Sequence, residues 1–580
     1  MPFIRRKRKN SKSVSNNASN AANNNPKVQT KKRIAIIGSG VSGLTCAHYL
    51  VGQHDVTVFE ANDYIGGHVN TINVALQDSK KSKSGNTENS AIDTGFIVFN
   101  ERTYPNFFRL LYDLKVPFQS TDMSFSVKNT ASNFEYNGHT LNTLVSQRKN
   151  VLNPKFWQFI KDILQFNKHI KQLRQDYDTA RAKGEDVSSF TEQTLGSYLA
   201  QKSYGALFKD NYLLPMVSAI WSTSLHDVKD FPLVLFAQFF DNHGLLDVVN
   251  RPQWFTIKGG SKQYVNKLVT RFVKAGGEVR INSPVQSVVR DGDQVSLTVQ
   301  NAASADDSIE KLTENLVFDE VVFACHADTA LKILKDASTD ETEVLKHFRF
   351  TNNRAVLHTD TSILPKKPLA WASWNYLIDE TASGNVTEAG QAIESAKTPA
   401  KPVLTYHMNI LQRLTKKHNY LVTLNPAIAN KTIDEKQVIK SIDYSHPVFD
   451  KAMMDAQTKW STISGGRSHT HFCGAYWFNG FHEDGVRSGL RVCQTLGDTI
   501  DIKDDVDPSH LPDAESAHTP FRYKGLPVKA DINVRKLNKR QVTIASTNQE
   551  LVNYVKSLQP KVVDTNEKKK TSLFGRRKAK

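Results

Sequence analysis

Residues 38–43, Gly38-Ser39-Gly40-Val41-Ser42-Gly43, carry three glycines in the spacing G-x-G-x-x-G. Each has its own task around a pyrophosphate: Gly38 allows a tight turn, Gly40 lets backbone approach the phosphate oxygens, and Gly43 lets a helix pack against a strand. The intervening Ser39, Val41 and Ser42 complete the loop, and the first N–H groups of the following helix face the negative charge. Glu60 lies 22 residues beyond Gly38, where an acid accepts ribose hydroxyls. It also repels a 2′-phosphate, which argues against NADP.

These groups need a frame, and the flanking residues supply one. Ile34-Ala35-Ile36-Ile37 is a short apolar run of the kind buried in a parallel sheet, a helical pattern continues to Leu50, and a second strand is expected over 56–60. Strand, loop, helix, strand and acid together specify an α/β protein with a Rossmann-type domain for a dinucleotide.

NAD and FAD both fit that unit. After Glu60-Ala61 comes a glycine doublet, Gly66-Gly67-His68, which resembles the flavoprotein pattern rather than that of plain NAD dehydrogenases. Far along the chain, Gly474 ends an expected strand, and Phe478-Asn479-Gly480-Phe481-His482-Glu483-Asp484-Gly485-Val486 precedes a helical pattern to Leu496. Gly485-Val486 is expected to open that helix and to turn free N–H groups toward the flavin oxygen that becomes negative on reduction.

The two signatures in this order resemble the flavin amine oxidase superfamily, which includes protoporphyrinogen oxidases and carotenoid desaturases. Further segments narrow the resemblance: Asp93-Thr94-Gly95-Phe96, Ala219-Ile220-Trp221-Ser222, Arg251-Pro252-Gln253-Trp254, His358-Thr359-Asp360, Trp371-Ala372-Ser373-Trp374-Asn375-Tyr376 and Val422-Thr423-Leu424-Asn425-Pro426. They are similar to a branch of predicted NAD/FAD-binding proteins, itself similar to the N-terminal oxidase-like region of plant cyclopropane fatty acid synthases. The resemblance spans roughly residues 33–500 and implies a discontinuous GR2-like FAD domain (33–105, 251–335 and 456–500) with an inserted α+β substrate domain (106–250 and 336–455).

The resemblance also implies roles. Thr94, Gly95 and Phe96 approach the isoalloxazine, Val285 clasps the adenine with its backbone, and Trp221, Trp371, Trp374, His407, Phe478 and Phe481 are candidates to line the substrate pocket. Each has a plain alternative: Gly95 as a strand-end turn, Val285 as a buried strand valine, the aromatics as core. No lysine matches the motif of the one that in amine oxidases holds a water at flavin N5. In relatives with a covalent flavin the cysteine lies well upstream of Cys473, and the matching stretch Ser464-Gly465-Gly466-Arg467 has none, so FAD is expected to be non-covalent. His469-x-His471 shares a strand face, but no further residue has ligand spacing and no metal is expected.

The implied activity is a flavin-dependent oxidation of a hydrophobic substrate, with a lipid acyl chain as the substrate class. An amine substrate, a non-catalytic interaction protein and a flavin-free NAD dehydrogenase are the alternatives.

Charge separates body from ends. Of the net +17, +10 sits in residues 1–33 and +6 in 560–580, which leaves +1 for 34–559. The basic character is thus expected to belong to two tails (1–32, disordered, and 501–580, linker and tail) and not to a face of the body. A nuclear signal, an anionic-membrane patch and a solvated tail all fit Arg5-Arg6-Lys7-Arg8-Lys9, whereas no nucleic-acid motif occurs in the body. No apolar core follows Lys9, so secretion is not expected; the Arg- and Ser-rich, acid-poor start also fits a mitochondrial presequence but lacks its apolar face. Polar insertions at 77–90, 301–316 and 380–401 read as surface loops. The longest uncharged apolar run, 232–240, is far short of the ~20 residues of a spanning helix. Four cysteines without C-x-x-C spacing fit a reducing compartment.

Overall fold

A computed structural model describes residues 31–77, 87–221, 227–247, 251–300, 313–378, 403–426, 433–504 and 542–545. The basic clusters and most of the three polar insertions lie outside the described residues.

The Ile34–Ile37 run forms the middle of a five-stranded parallel sheet ordered Glu278–Arg280, Asp55–Phe59, Arg33–Ile37, Glu320–Phe323 and Thr470–Phe472. Both faces are covered, which is why Ile34, Ala35, Ile36, Val321, Val322 and Phe323 are all fully buried. An antiparallel three-stranded sheet, Val285–Asp291, Gln294–Gln300 and Thr313–Phe318, adjoins it.

The second large element is a seven-stranded sheet in the order Val438–Pro447, Phe350–His358, Leu421–Leu424, Val403–His407, Trp374–Ile378, Phe125–Asn129 and Phe134–Asn137. Only the pair Trp374–Ile378 and Phe125–Asn129 is parallel. One face packs an aromatic core with the helices Pro154–Lys183 and Leu233–Asn242; the other carries a smaller cluster of Val356, Leu364, Leu377, Val403 and Leu421.

Packing departs from the expected boundaries at three places. The cut at 105/106 falls at the start of the helix Pro105–Asp113, whose Phe107, Phe108, Leu110 and Leu111 belong to the core of the parallel sheet. Conversely, Ile72, Val74, Leu76 and Ile92, within the expected cofactor segment, join the aromatic core. Beyond 500 the chain is not linker throughout, since Val542–Ala545 pairs antiparallel with Thr71–Gln77. In the first two cases burial of apolar side chains, not the linear order of motifs, draws the boundary.

Among the described residues no helix is long and apolar enough to cross a membrane.

Candidate active site

The glycine loop is shaped by what each missing side chain would strike. Gly38 has φ +110°, and a Cβ there would sit 2.8 Å from the Ala324 carbonyl oxygen; at Gly43 a Cβ would lie 2.1 Å from the Gly38 oxygen. Gly40 differs, because nothing lies within 4 Å of its Cβ position. That open space borders the start of the helix Val41–Leu50, which has no side-chain cap on its N–H groups. Ser42 is buried in its first turn.

Glu60, also buried, closes the loop from the second strand. Its Oε2 accepts from the Ser39 N–H (3.0 Å) and Ser39 Oγ (2.5 Å), and its Oε1 accepts from the Asn62 N–H (2.9 Å). Ala61 follows it in an exposed position. The Ser283 N–H donates to the Glu60 carbonyl at 2.9 Å, which brings the chain leading to Val285 beside the acid, and Val285 itself pairs with Val299.

The doublet then folds back onto the loop. Gly66 (φ +125°) donates its N–H to Ser39 Oγ at 3.2 Å, and a Cβ on Gly67 would be 3.2 Å from the Gly40 Cα. Gly95 lies so close to His68 that a Cβ would meet the His68 carbonyl oxygen at 2.2 Å, and the Phe96 N–H donates to that oxygen at 2.9 Å. Thr94 Oγ1 bonds the Asn70 carbonyl and lies 2.8 Å from the Tyr444 hydroxyl.

His68 has the most distinctive environment. Its ring stacks on Tyr444 (5.1 Å) and neighbours His446 (5.5 Å) and His326 (6.4 Å). Burial first, then the two histidines, push its pKa down to about 3. Nε2 of the ring is buried without a partner.

The C-terminal signature comes to the same place, with one correction. The helix runs His482–Thr495, and Gly485 sits inside its first turn, where its N–H already bonds the Phe481 carbonyl. Gly485 therefore offers no free N–H. Its absent side chain serves packing instead: a Cβ would lie 2.4 Å from Val41 Cγ1, and one on Gly489 would lie 2.7 Å from the Ser42 oxygen. The Gly485-x-x-x-Gly489 spacing was the available signal that two helices cross closely here. Val486 is buried alongside, and Gly474 donates its N–H to Ser488 Oγ at 3.0 Å.

Asp484 reaches back to accept the Phe481 N–H at 2.9 Å, while Glu483, not singled out by sequence reasoning, caps the helix Pro105–Asp113 through the Asn106 and Phe107 N–H groups. Burial pushes Glu483 up to about 8 and Asp484 up to about 7. His482 stacks on Phe96 at 3.7 Å and bonds the Tyr264 hydroxyl, which joins the two ends of the chain.

The pocket candidates divide. Trp374 lies on the aromatic face of the seven-stranded sheet with its indole N–H buried and unpartnered, and Phe481 stacks on Phe239 at 4.7 Å on the same side. Trp221 is one layer back, packed against Phe231, Phe239 and Phe240. Trp371 and His407 contact each other (5.6 Å), and Trp371 belongs to the cluster on the opposite face. Strand parity explains this, because His407 shares a face with Val403 and not with Leu404. Phe478 faces the other way too, beneath the Arg487 guanidinium and against the parallel-sheet core. Beside Phe481 opens a cleft of about 640 Å³ lined by Tyr104, Asp241, His243, Glu483 and Asp484 among others.

Cys473 points into the protein, with its Sγ 4.0 Å from Cys46 Sγ, both buried. His471 Nε2 lies 3.2 Å from Glu320 Oε2, which accounts for one histidine of the His-x-His pair. Among the described residues no group of three or more His, Cys, Asp or Glu is placed to hold a metal.

Residues 41–404 match the family of flavin containing amine oxidoreductases. The chain belongs to that family. Cyclohexylamine oxidase from Brevibacterium oxydans has a similar structure (TM-score 0.51, 15% identity, 80% of this chain and 99% of that one), as does a CLA-producing fatty acid isomerase from P. acnes (TM-score 0.50, 15% identity, 80% and 98%). At these identities the likeness is one of fold. An L-amino-acid oxidase of Bungarus fasciatus is 42% identical over 52 residues, 9% of this chain and only 10% of that protein.

The chain is thus an FAD-dependent oxidoreductase, and its residues fit the cofactor. The open position at Gly40, the uncapped helix behind it and the Glu60 carboxylate that holds Ser39 suit a pyrophosphate and ribose, and the buried, unpartnered His68 Nε2 adds a polar atom near the glycine doublet. Gly38 to Gly43, Gly66 and Gly67 would hold the pyrophosphate, Glu60 the ribose, and Gly95 with the first turn at His482 the flavin end.

Proposed function

We propose that the substrate is an apolar molecule, best matched by an acyl chain, held on the aromatic face of the seven-stranded sheet between Trp374, Phe239 and Phe481. The observation that carries this reading is the make-up of that face, whose core cluster includes Trp374, Tyr376, Phe239, Phe240 and Phe481, and the histidine stacked on Phe239, His243, is held uncharged, its pKa pushed down to about 4 by burial. A fatty acid isomerase among the proteins of the same fold is in keeping with it.

FAD supplies the hydride acceptor. The protein's part is alignment and exclusion of water: the aromatic walls fix an extended chain, and the absence of a side chain at Gly95 lets the segment before Phe96 lie against the His68 main chain. His68, held neutral by burial, presents an unpartnered Nε2 and not a charge.

An amine substrate is the second reading, favoured by the Asp241 carboxylate in the cleft beside Phe481. Anaerobic mixing separates the two. Unsaturated acyl lipids should bleach the flavin's visible absorbance, and alkyl amines or polyamines should not; bleaching by amines alone would overturn the acyl reading.

A further inference from the structure

Apolar side chains with no packing role are rare on this body, and several of the largest are gathered in one place. Leu152 is 88% exposed, Leu141 84% and Trp157 52%, with Val151 and Leu369 also exposed. They stand on short neighbouring elements: the helical turn Leu141–Leu144, the 3-10 turns Arg148–Leu152 and Pro368–Ala370, and the first turn of the helix Pro154–Lys183. Local bonds hold the group together. The Trp157 indole N–H donates to the Val151 carbonyl at 2.8 Å, and Arg148 bonds Asn142.

Charge surrounds this patch with one sign. Residues 136–161 contain Arg148, Lys149, Lys155 and Lys161 and no Asp or Glu; Lys366 and Lys367 adjoin them, and all six are exposed. The nearest acids are turned inward. Glu135 is buried and accepts the backbone N–H groups of Lys366 and Lys367, and Asp162 is buried and accepts the Gly205 N–H. The near-zero net charge of 34–559 therefore conceals a basic face, contrary to the sequence expectation.

The long helix shows two faces. Phe156, Phe159, Phe166 and Ile170 are buried in the aromatic core, whereas Trp157, Lys161, Leu164 and Lys168 form an exposed stripe at helical spacing. Exposed leucines, a half-exposed tryptophan with its N–H satisfied, and flanking long basic side chains are what an anionic bilayer surface accepts: the apolar tips enter the acyl boundary while Lys and Arg stay among the headgroups. We propose that this face docks the protein peripherally on an anionic membrane. Nucleic acid would match the charge but leave Leu141 and Leu152 in water.

The test uses full-length, FAD-loaded protein and vesicles of phosphatidylcholine with or without phosphatidylserine. Binding to the anionic vesicles is expected, with Trp157 fluorescence quenched by brominated acyl chains and that quenching lost in Trp157→Phe. Leu141→Ser/Leu152→Ser should weaken vesicle binding at least about tenfold, and Lys366→Glu/Lys367→Glu by a similar factor that shrinks at high salt. All four residues are exposed, so melting temperature and flavin content should stay unchanged, which separates docking from misfolding. Vesicle binding that both double variants retain would overturn the proposal and assign membrane contact to the tails. Failure to bind anionic vesicles, retention on an oligonucleotide instead, or a self-association lost in Leu141→Ser/Leu152→Ser would also overturn it.

Discussion

The two halves of the site are built on different principles. Around the parallel sheet the geometry is set by backbone: a Cβ on Gly38, Gly43, Gly66, Gly67 or Gly95 would crowd neighbouring main chain, one on Gly40 would not, and all of these glycines but Gly95 fall in two short motifs of the sequence. Around the seven-stranded sheet it is set by side chains, whose direction depends on strand parity and on partners far away in sequence. Trp371 and Trp374 are three residues apart and end on opposite faces. Local rules can therefore locate a cofactor, while a substrate needs the assembled sheet.

The sharpest way to break this contrast is to treat two loop glycines alike. Gly43→Ala places a methyl 2.1 Å from a backbone oxygen and should cost about 3 kcal/mol of stability by overpacking. Gly40→Val meets open space, so the apoprotein should melt as wild type does while FAD affinity falls at least about a hundredfold, the pyrophosphate's place being taken. Calorimetry and flavin titration of both variants decide; equal stability losses would erase the distinction between a packing and a cofactor glycine.

The tryptophans provide the matching test in the other half. Trp374→Ala should raise KM about tenfold or more for an acyl substrate and leave FAD binding intact. Trp371→Ala should lower stability by about 2 kcal/mol, through lost packing and the lost bond to the Pro365 carbonyl, with KM unchanged. Reversed phenotypes would mean that the substrate lies on the other face.

A smaller effect is expected at Glu60. Its carboxylate is already engaged by Ser39 and Asn62, so Glu60→Gln should weaken FAD binding by about 1–3 kcal/mol, read from the dissociation constant. No loss would place the ribose elsewhere.

Buried titrating groups predict a shallow pH optimum of stability. Burial holds His68 and His482 near 3 and His446 near 4, so the unfolded chain binds more protons below about 6.5 and stability is lost as pH falls from there. Glu483 and Asp484, pushed up to about 8 and about 7, hold protons in the folded state that the unfolded state releases above about 4.5, so their contribution is lost as pH rises toward 8. Melting temperature should peak by a few degrees near pH 6 to 7. A steady rise to pH 8 would show that the two carboxylates are ionised.

Legibility in the sequence follows the same divide. The strand at 34–37, the glycine loop and Glu60 were readable because turn, helix start and strand are local. The start of the last helix was misplaced at Gly485 because Phe481 and His482 carry no ordinary capping side chain; the acid three residues on, Asp484, caps it from within. The neighbours of His68 come from two segments far from it in sequence, His326 from the start of the helix Ala327–Ile333 and Tyr444 and His446 from the strand Val438–Pro447. No local pattern joins them. The basic apolar face stayed hidden because a net charge over 34–559 averages its six Lys and Arg against acids elsewhere in the chain, and burial of Glu135 and Asp162 is not visible in a count.

Acid precipitation of the purified protein decides whether the backbone-built site holds FAD without a covalent bond. A yellow protein that releases one FAD per chain into the supernatant is expected, since Cys473 faces Cys46 in the interior. Flavin retained in the pellet, or a colourless protein that takes up no added FAD, would contradict it.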